Sequence, residues 1–297
     1  MWTPFIYLLL AGTSTAIKVV QSNDDGWAVS NVRTLFDVLT AAGHDVILSA
    51  PAENKSGSSS LDVPPTPRTS PCQFNSCPAN SPATGFNASN PRLNYVNSYP
   101  VTSIRYGIST VAPKFFGSAK PELAVTGPNV GSNLGIQVPF SGTVGTAVYA
   151  AHEAKIPAIA FSGKSDAEAP WNGPTPLFSK VYADLALNLT SKIIASGKPY
   201  LPDDVFLNVN FPEVTETRCN NAQQFKFVAS RIYPGWISPP DAATCGSTRL
   251  PQESTVVGTT GCYVSVSFGD ATDKTDTEAA KQRIVLDKLS GLLTCLP

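Results

Sequence analysis

Ile17-Lys18-Val19-Val20-Gln21-Ser22-Asn23-Asp24-Asp25-Gly26 decides the fold. Its apolar start reads as a short buried strand, and its polar end is a turn closed by glycine. Residues 30–42 follow, with Val32, Leu35, Phe36, Val38 and Leu39 at helical spacing and Gly43 as a stop. Asp45-Val46-Ile47-Leu48-Ser49-Ala50 is a second strand. Strand, helix and strand in that order make a βαβ unit, and the fold class is α/β with a mainly parallel sheet. Downstream, a third strand is expected at 122–126, broken by Gly127-Pro128-Asn129-Val130-Gly131, and a fourth at 158–162. A late strand covers 205–210, and 262–268 alternates well. Helices are expected at 101–112, 141–154, 177–196 and 276–293. Residues 57–98 are rich in Ser, Pro and Asn and read as an irregular insertion.

The 297 residues are 42% hydrophobic and 14% charged, and 21 Lys and Arg nearly balance 22 Asp and Glu. That length can bury a real core in one large α/β domain. With no basic surplus to hold a nucleic-acid backbone, no duplex nucleic-acid partner is expected. Phe5-Ile6-Tyr7-Leu8-Leu9-Leu10-Ala11 followed by Ser14-Thr15-Ala16 reads as a signal peptide over residues 1–16. The competing reading is a buried first strand. The run is too short to span a bilayer, so the chain is expected to be secreted, with no membrane partner.

Six cysteines fit export. Cys72 and Cys77 are expected to close a small loop, while Cys219, Cys245, Cys262 and Cys295 can pair in three ways. No Cys-x-x-Cys pair supports zinc, and His44 and His152 lie far from the cysteines in sequence. Asn54, Asn87 and Asn188 carry the N-glycosylation pattern.

Three polar loops each follow a strand. Asp24 and Asp25 follow the first, Asn54 and Ser56 the second, Asn129 and Asn133 the third. In an open parallel sheet such loops converge at the carboxyl ends of the strands. Two adjacent carboxylates repel each other, and a bound divalent ion relieves the repulsion. Carboxylate, hydroxyl and amide oxygens are hard ligands that suit Mg2+, Mn2+ or Ca2+. Ser141-Gly142-Thr143-Val144-Gly145-Thr146 opens a helix and suits an anion such as phosphate. The bland alternatives are turn aspartates and an ordinary Ser cap. There is no P-loop lysine and no Gly-x-Ser-x-Gly elbow. Trp27 reads as packing or as a base-stacking surface.

Together these stretches resemble the survival protein SurE family of metal-dependent nucleotidases and phosphatases, in particular its exported fungal members. The resemblance rests on Ser22–Gly26, Ala50–Gly57, Thr126–Gly135, Ser141–Val144 and Ile156–Ala160 in order, with weaker matches at Leu207–Pro212 and Gly261–Val266. It implies a Rossmann-type αβα three-layer sandwich over 17–297, with a C-terminal extension at 213–297 carrying a β-hairpin and a final helix. It implies Asp24, Asp25, Ser56 and Asn129 as ligands of Mg2+ or Mn2+, with Asp24 and Asp25 catalytic. Asn54, Asn133, Ser141, Gly142 and Thr143 are the implied phosphate surroundings. The implied substrates are phosphomonoesters, nucleoside 5′- and 3′-monophosphates among them, and the implied assembly is a homodimer or homotetramer. Trp27-Ala28-Val29-Ser30 and Ile136-Gln137 depart from the family pattern and leave nucleotide preference open. The alternative function is a non-catalytic secreted protein that binds metal and phosphate.

Overall fold

Val19 and Val20 point to opposite faces of a sheet and enter two different apolar clusters, as do Leu48 and Ile47, and Val125 and Ala124. A strand apolar on both faces needs cover on both, and that requirement builds three layers. The structure, a computed structural model, describes residues 16–297 apart from Asp166 and Ile237. The signal-peptide reading therefore falls almost wholly outside the described residues.

The chain runs β1 (Lys18–Ser22), α1 (Ser30–Ala41), β2 (Asp45–Pro51), β3 (Thr84–Asn87), β4 (Asn90–Val96), α2 (Pro100–Tyr106) and α3 (Ala112–Phe116). It continues through β5 (Leu123–Val130), α4 (Gly142–Val148), β6 (Ala158–Gly163), α5 (Leu177–Ala195) and β7 (Val205–Phe211). The last elements are β8 (Lys226–Ser230), α6 (Glu253–Gly258), β9 (Tyr263–Asp270) and α7 (Ala279–Lys288). Wide helical turns at Gly107–Val111 and Tyr149–Glu153 continue α2 and α4.

One nine-stranded sheet has the order β3-β4-β2-β1-β5-β6-β7-β9-β8. The six strands from β4 to β7 are mutually parallel. From β1 the chain winds outward through α1 to β2, whereas β5 leads the other way to β6 and β7. The winding thus reverses between β1 and β5, and a crevice opens outside their carboxyl ends. On one face α1 buries Val32, Leu35, Phe36 and Leu39 beside Leu185, Leu189 and Ile193 of α5. On the other face Ile104 of α2 packs with Val144 and Ala147 of α4. The small residues of α4 let it sit close: a side chain at Gly145 would fall on the carbonyl of Ser59.

The structure differs from the sequence expectation in four places. The 57–98 insertion is not wholly irregular, because it contributes β3 and β4. They form an edge hairpin whose turn is held by Asn87 Oδ1, which accepts from Ser89 N and Asn90 N. β4 lies parallel to β2 in the main sheet. β5 does not stop at 126 but runs to Val130 through a one-residue bulge, where Thr126–Asn129 faces Ala160–Ser162. β8 and β9 pair in parallel, and β9 is antiparallel to β7, so these C-terminal strands extend the sheet and do not pair as a hairpin. The final helix is shorter than 276–293, because Leu289 ends it. The disulfides are Cys72–Cys77, as expected, together with Cys219–Cys262 and Cys245–Cys295.

Candidate functional site

The turn after β1 builds the centre of the site. Asn23 ties both backbone groups of Gly26 with its side chain, at 3.2 Å to N and 3.0 Å to O, and Gly26 takes φ +116°. That closes a tight turn with Asp24 and Asp25 buried inside it. Trp27 is buried too. It donates to Ser76 Oγ at 2.8 Å, packs on Tyr95, and lies under the guanidinium of Arg33. Its role is therefore packing, not base stacking.

The bulge in β5 brings Asn129 to the same place. Gly127, at φ +91°, leaves room for the carbonyl of Phe161, on which a side chain would fall. The amide nitrogen of Asn129 donates to the carbonyls of Val130 and Gly131 at 3.2 and 2.7 Å. Its Oδ1 is therefore turned away from those bonds. Thr143 Oγ1 lies 2.5 Å from Asp24 Oδ1 and 3.4 Å from Asn129 Oδ1, so one hydroxyl gathers both oxygens. Asp25 Oδ2 accepts from Val130 N at 3.0 Å, while its Oδ1 is buried without a partner. The loop after β2 joins them through Lys55 N, which donates to Asp24 O at 2.7 Å.

Asp24, Ser56, Asn129, Asn133 and Ser141 line a single cavity of about 660 Å³. Asp25 is buried and is not among the residues that line it. Asn133 is held by its N–H on Asn210 Oδ1 at 2.8 Å and its amide on Ser162 Oγ at 2.8 Å. Ser141 caps α4 by accepting from Val144 N at 3.1 Å, which leaves its hydroxyl proton to donate.

Three expected phosphate-binding residues do not line this cavity. Thr143 is fully buried and spends its hydroxyl on Asp24. Gly142 is buried under the carboxylate: a Cβ there would come within 2.8 Å of Asp24 and of Ser58 Oγ. Asn54 is exposed, accepts from Ser56 N at 2.8 Å, and donates to Glu168. These three shape the loops and orient a carboxylate. Sequence reasoning missed Lys164, which lies just past β6 and is the one cationic side chain among the described residues lining the cavity. The rule that found the other loops, polar residues just after a parallel strand, would have found it. His44 is buried under β1, and His152 lines a different cavity, paired with Asp204 at 2.9 Å.

Burial raises the Asp24 carboxyl, and hydrogen bonds from Thr143 and its neighbours pull it partly back. Burial raises Asp25 further, the adjacent Asp24 charge adds to this, and Glu168 contributes in the same direction. A turn that forces two carboxylates together, one with an orphaned buried oxygen, fits a cation between them. Among the described residues no group of three His, Cys, Asp or Glu side chains is placed to hold a metal ion. A binding set here needs the hydroxyl of Ser56 and the amide of Asn129, and such all-oxygen donors suit a hard ion.

Fold and site thus define a doubly wound α/β protein with an oxygen-rich pocket at its switch point. The family description "Survival protein SurE" matches residues 19–232, and the chain belongs to the SurE family. An acid phosphatase of Yarrowia lipolytica is 30% identical over 84% of this chain and 78% of its own length. The 5′-nucleotidase SurE of Lawsonia intracellularis is 28% identical over 67% of each chain. The crystal structure of the SurE protein from Aquifex aeolicus superposes with a TM-score of 0.59, 21% identity, and coverage of 86% of this chain and 93% of that one. That likeness speaks to the fold.

Proposed function

We propose that this SurE-family chain is a divalent-metal-dependent hydrolase of phosphomonoesters. The single observation that supports the reading most is the gathering of Asp24 and Asn129 oxygens on Thr143, beside the partnerless Oδ1 of Asp25. The phosphatase and nucleotidase names of its relatives point the same way. Asp24, Asp25, Ser56 and Asn129 would hold Mg2+ or Mn2+, which when bound polarises a phosphoryl oxygen and acidifies water. The chain's own groups do the rest. Lys164 and the Ser141 hydroxyl hold the phosphoryl oxygens of the bound ester. Thr143 occupies Asp24 Oδ1 and Val130 N occupies Asp25 Oδ2, so each carboxylate keeps one oxygen to hold the cation or to take the proton of the attacking water. Three disulfides and the N-terminal apolar run support export. Among the described residues no helix is long and apolar enough to cross a membrane.

The test is release of inorganic phosphate from a panel of phosphomonoesters. Release should be abolished by EDTA and restored by magnesium or manganese. A protein that binds metal and phosphate without turnover would instead be the non-catalytic binder. Lys164→Ala should raise KM about tenfold, roughly one charge-assisted hydrogen bond, with a smaller effect on kcat. Steady-state kinetics check this, and an unchanged KM would remove Lys164 from the site.

A further inference from the structure

The rim of the cavity differs from its floor. Ile136 is 82% exposed and Phe140 is 66% exposed, and both line the same cavity as Asp24, Ser141 and Lys164. They are not on a loose loop. The turn Gly135–Phe140 is fastened at its start by Gly135 N on Glu253 Oε1 at 2.7 Å. Val138, fully buried, anchors its middle. At its end Phe140 O accepts from Ser59 N at 2.9 Å, and Lys274 Nζ donates to Pro139 O at 3.2 Å. Two large apolar side chains are thus held in water by a rigid frame at the mouth of a site whose floor is polar. Water against them is released when an apolar group covers them. Residues 134–141 carry no charged side chain. The polar side chain between the two, Gln137, already accepts from Leu134 N at 3.0 Å through Oε1. Gln137 thus keeps only its amide N–H groups for a ligand, and the two largest exposed surfaces of the rim are apolar. The cavity of about 660 Å³ has room for much more than a phosphate.

We propose that Ile136 and Phe140 form an apolar shelf for the alcohol side of the substrate, so that this site selects phosphomonoesters of aromatic alcohols over those of small alcohols. This rests on the phosphomonoesterase reading above. The occupant is set by continuity: a phosphoryl group held by Lys164 and Ser141 leaves its ester substituent directed to the rim. The shelf acts as a specificity determinant and takes no part in bond breaking.

Benzyl and ethyl phosphate make the comparison, because their alcohols leave with similar basicity. The native protein should favour benzyl phosphate at least about tenfold in kcat/KM, mostly through KM, which burial of about 55 Å² of apolar surface supplies. The double variant Ile136→Ser, Phe140→Ser should reduce the preference to about twofold. Equal use of both esters by the native protein, or an undiminished preference in the variant, overturns the shelf. If neither ester releases phosphate with magnesium or manganese, the phosphatase reading fails, and binding alone then decides the shelf. In calorimetry with manganese, benzylphosphonate should bind more tightly than methylphosphonate to the native protein but not to the variant. Equal binding, or none, overturns the proposal. A variant that turns from dimer to monomer in size-exclusion chromatography while keeping its preference would make the patch an interface between copies and would also overturn it.

Discussion

Asp25→Asn should lower phosphate release by about 10³-fold or more, the scale expected when a carboxylate that holds the metal and its preorganised charge are lost together. The geometry makes a second, independent prediction for the same variant. In the metal-free protein Asp25 is a buried carboxylate beside another, with Oδ1 lacking any donor. An uncompensated buried charge destabilises the fold by several kcal/mol or remains protonated. Asparagine keeps the acceptor for Val130 N and removes the charge. The metal-free variant should therefore melt at or above the temperature of the metal-free native protein. Added magnesium or manganese should raise the native melting temperature and leave the variant unmoved, because a ligand stabilises only the state that binds it. Thermal melts with and without metal check both halves. A variant that melts far lower without metal would show Asp25 to be a structural carboxylate. Activity within a few-fold of native would remove it from the chemistry.

Much of the site is legible in the sequence because it is built from strand-end turns. Ser22–Gly26, the loop after β2 and the loop after β5 each announce themselves by a polar break after an apolar run. What stayed hidden was set by tertiary contact. Thr143 looks like a phosphate donor by position, yet α4 sits so close to β1 that its hydroxyl is taken by Asp24. β4 carries Asn90, Pro91 and Asn94, poor strand formers, and is held as a strand by pairing with β2 and by burying Leu93 and Tyr95. Asn129 lies within β5 because a bulge at Gly127 and Pro128 bends the strand without ending it. The pairing of the last four cysteines depends on how β8, β9 and the C-terminal segment meet, which no spacing reveals.

Glu253 was invisible in the sequence for the same reason, and it yields the second large effect. It is wholly buried at the start of α6, where Oε1 accepts from Gly135 N and Oε2 accepts from Asn208 and Ser267, both at 2.9 Å. Asn208 also donates to Asn133 O at 2.9 Å, so the carboxylate braces the loop that carries Asn133 into the cavity. Burial outweighs these bonds and pushes its pKa up from 4.5 to about 7. A folded-state pKa above the unfolded value means the folded protein binds the proton more tightly. That stability is fully present below pH 4.5 and is lost as pH rises through about 7. Asp24 and Asp25 shift the same way in the metal-free protein, so the native curve alone does not isolate Glu253. The difference between the native protein and Glu253→Gln does. Native stability relative to the variant should fall by about 3 kcal/mol between pH 4.5 and pH 8, measured by denaturant melts without metal. The variant should also be the less stable of the two at low pH, because an amide nitrogen facing the Asn208 and Ser267 donors leaves donors unpaired. Parallel stability curves would mean that Glu253 does not change its ionisation on folding, and that the loop around Asn133 is braced by hydrogen bonds whose strength is the same across this range.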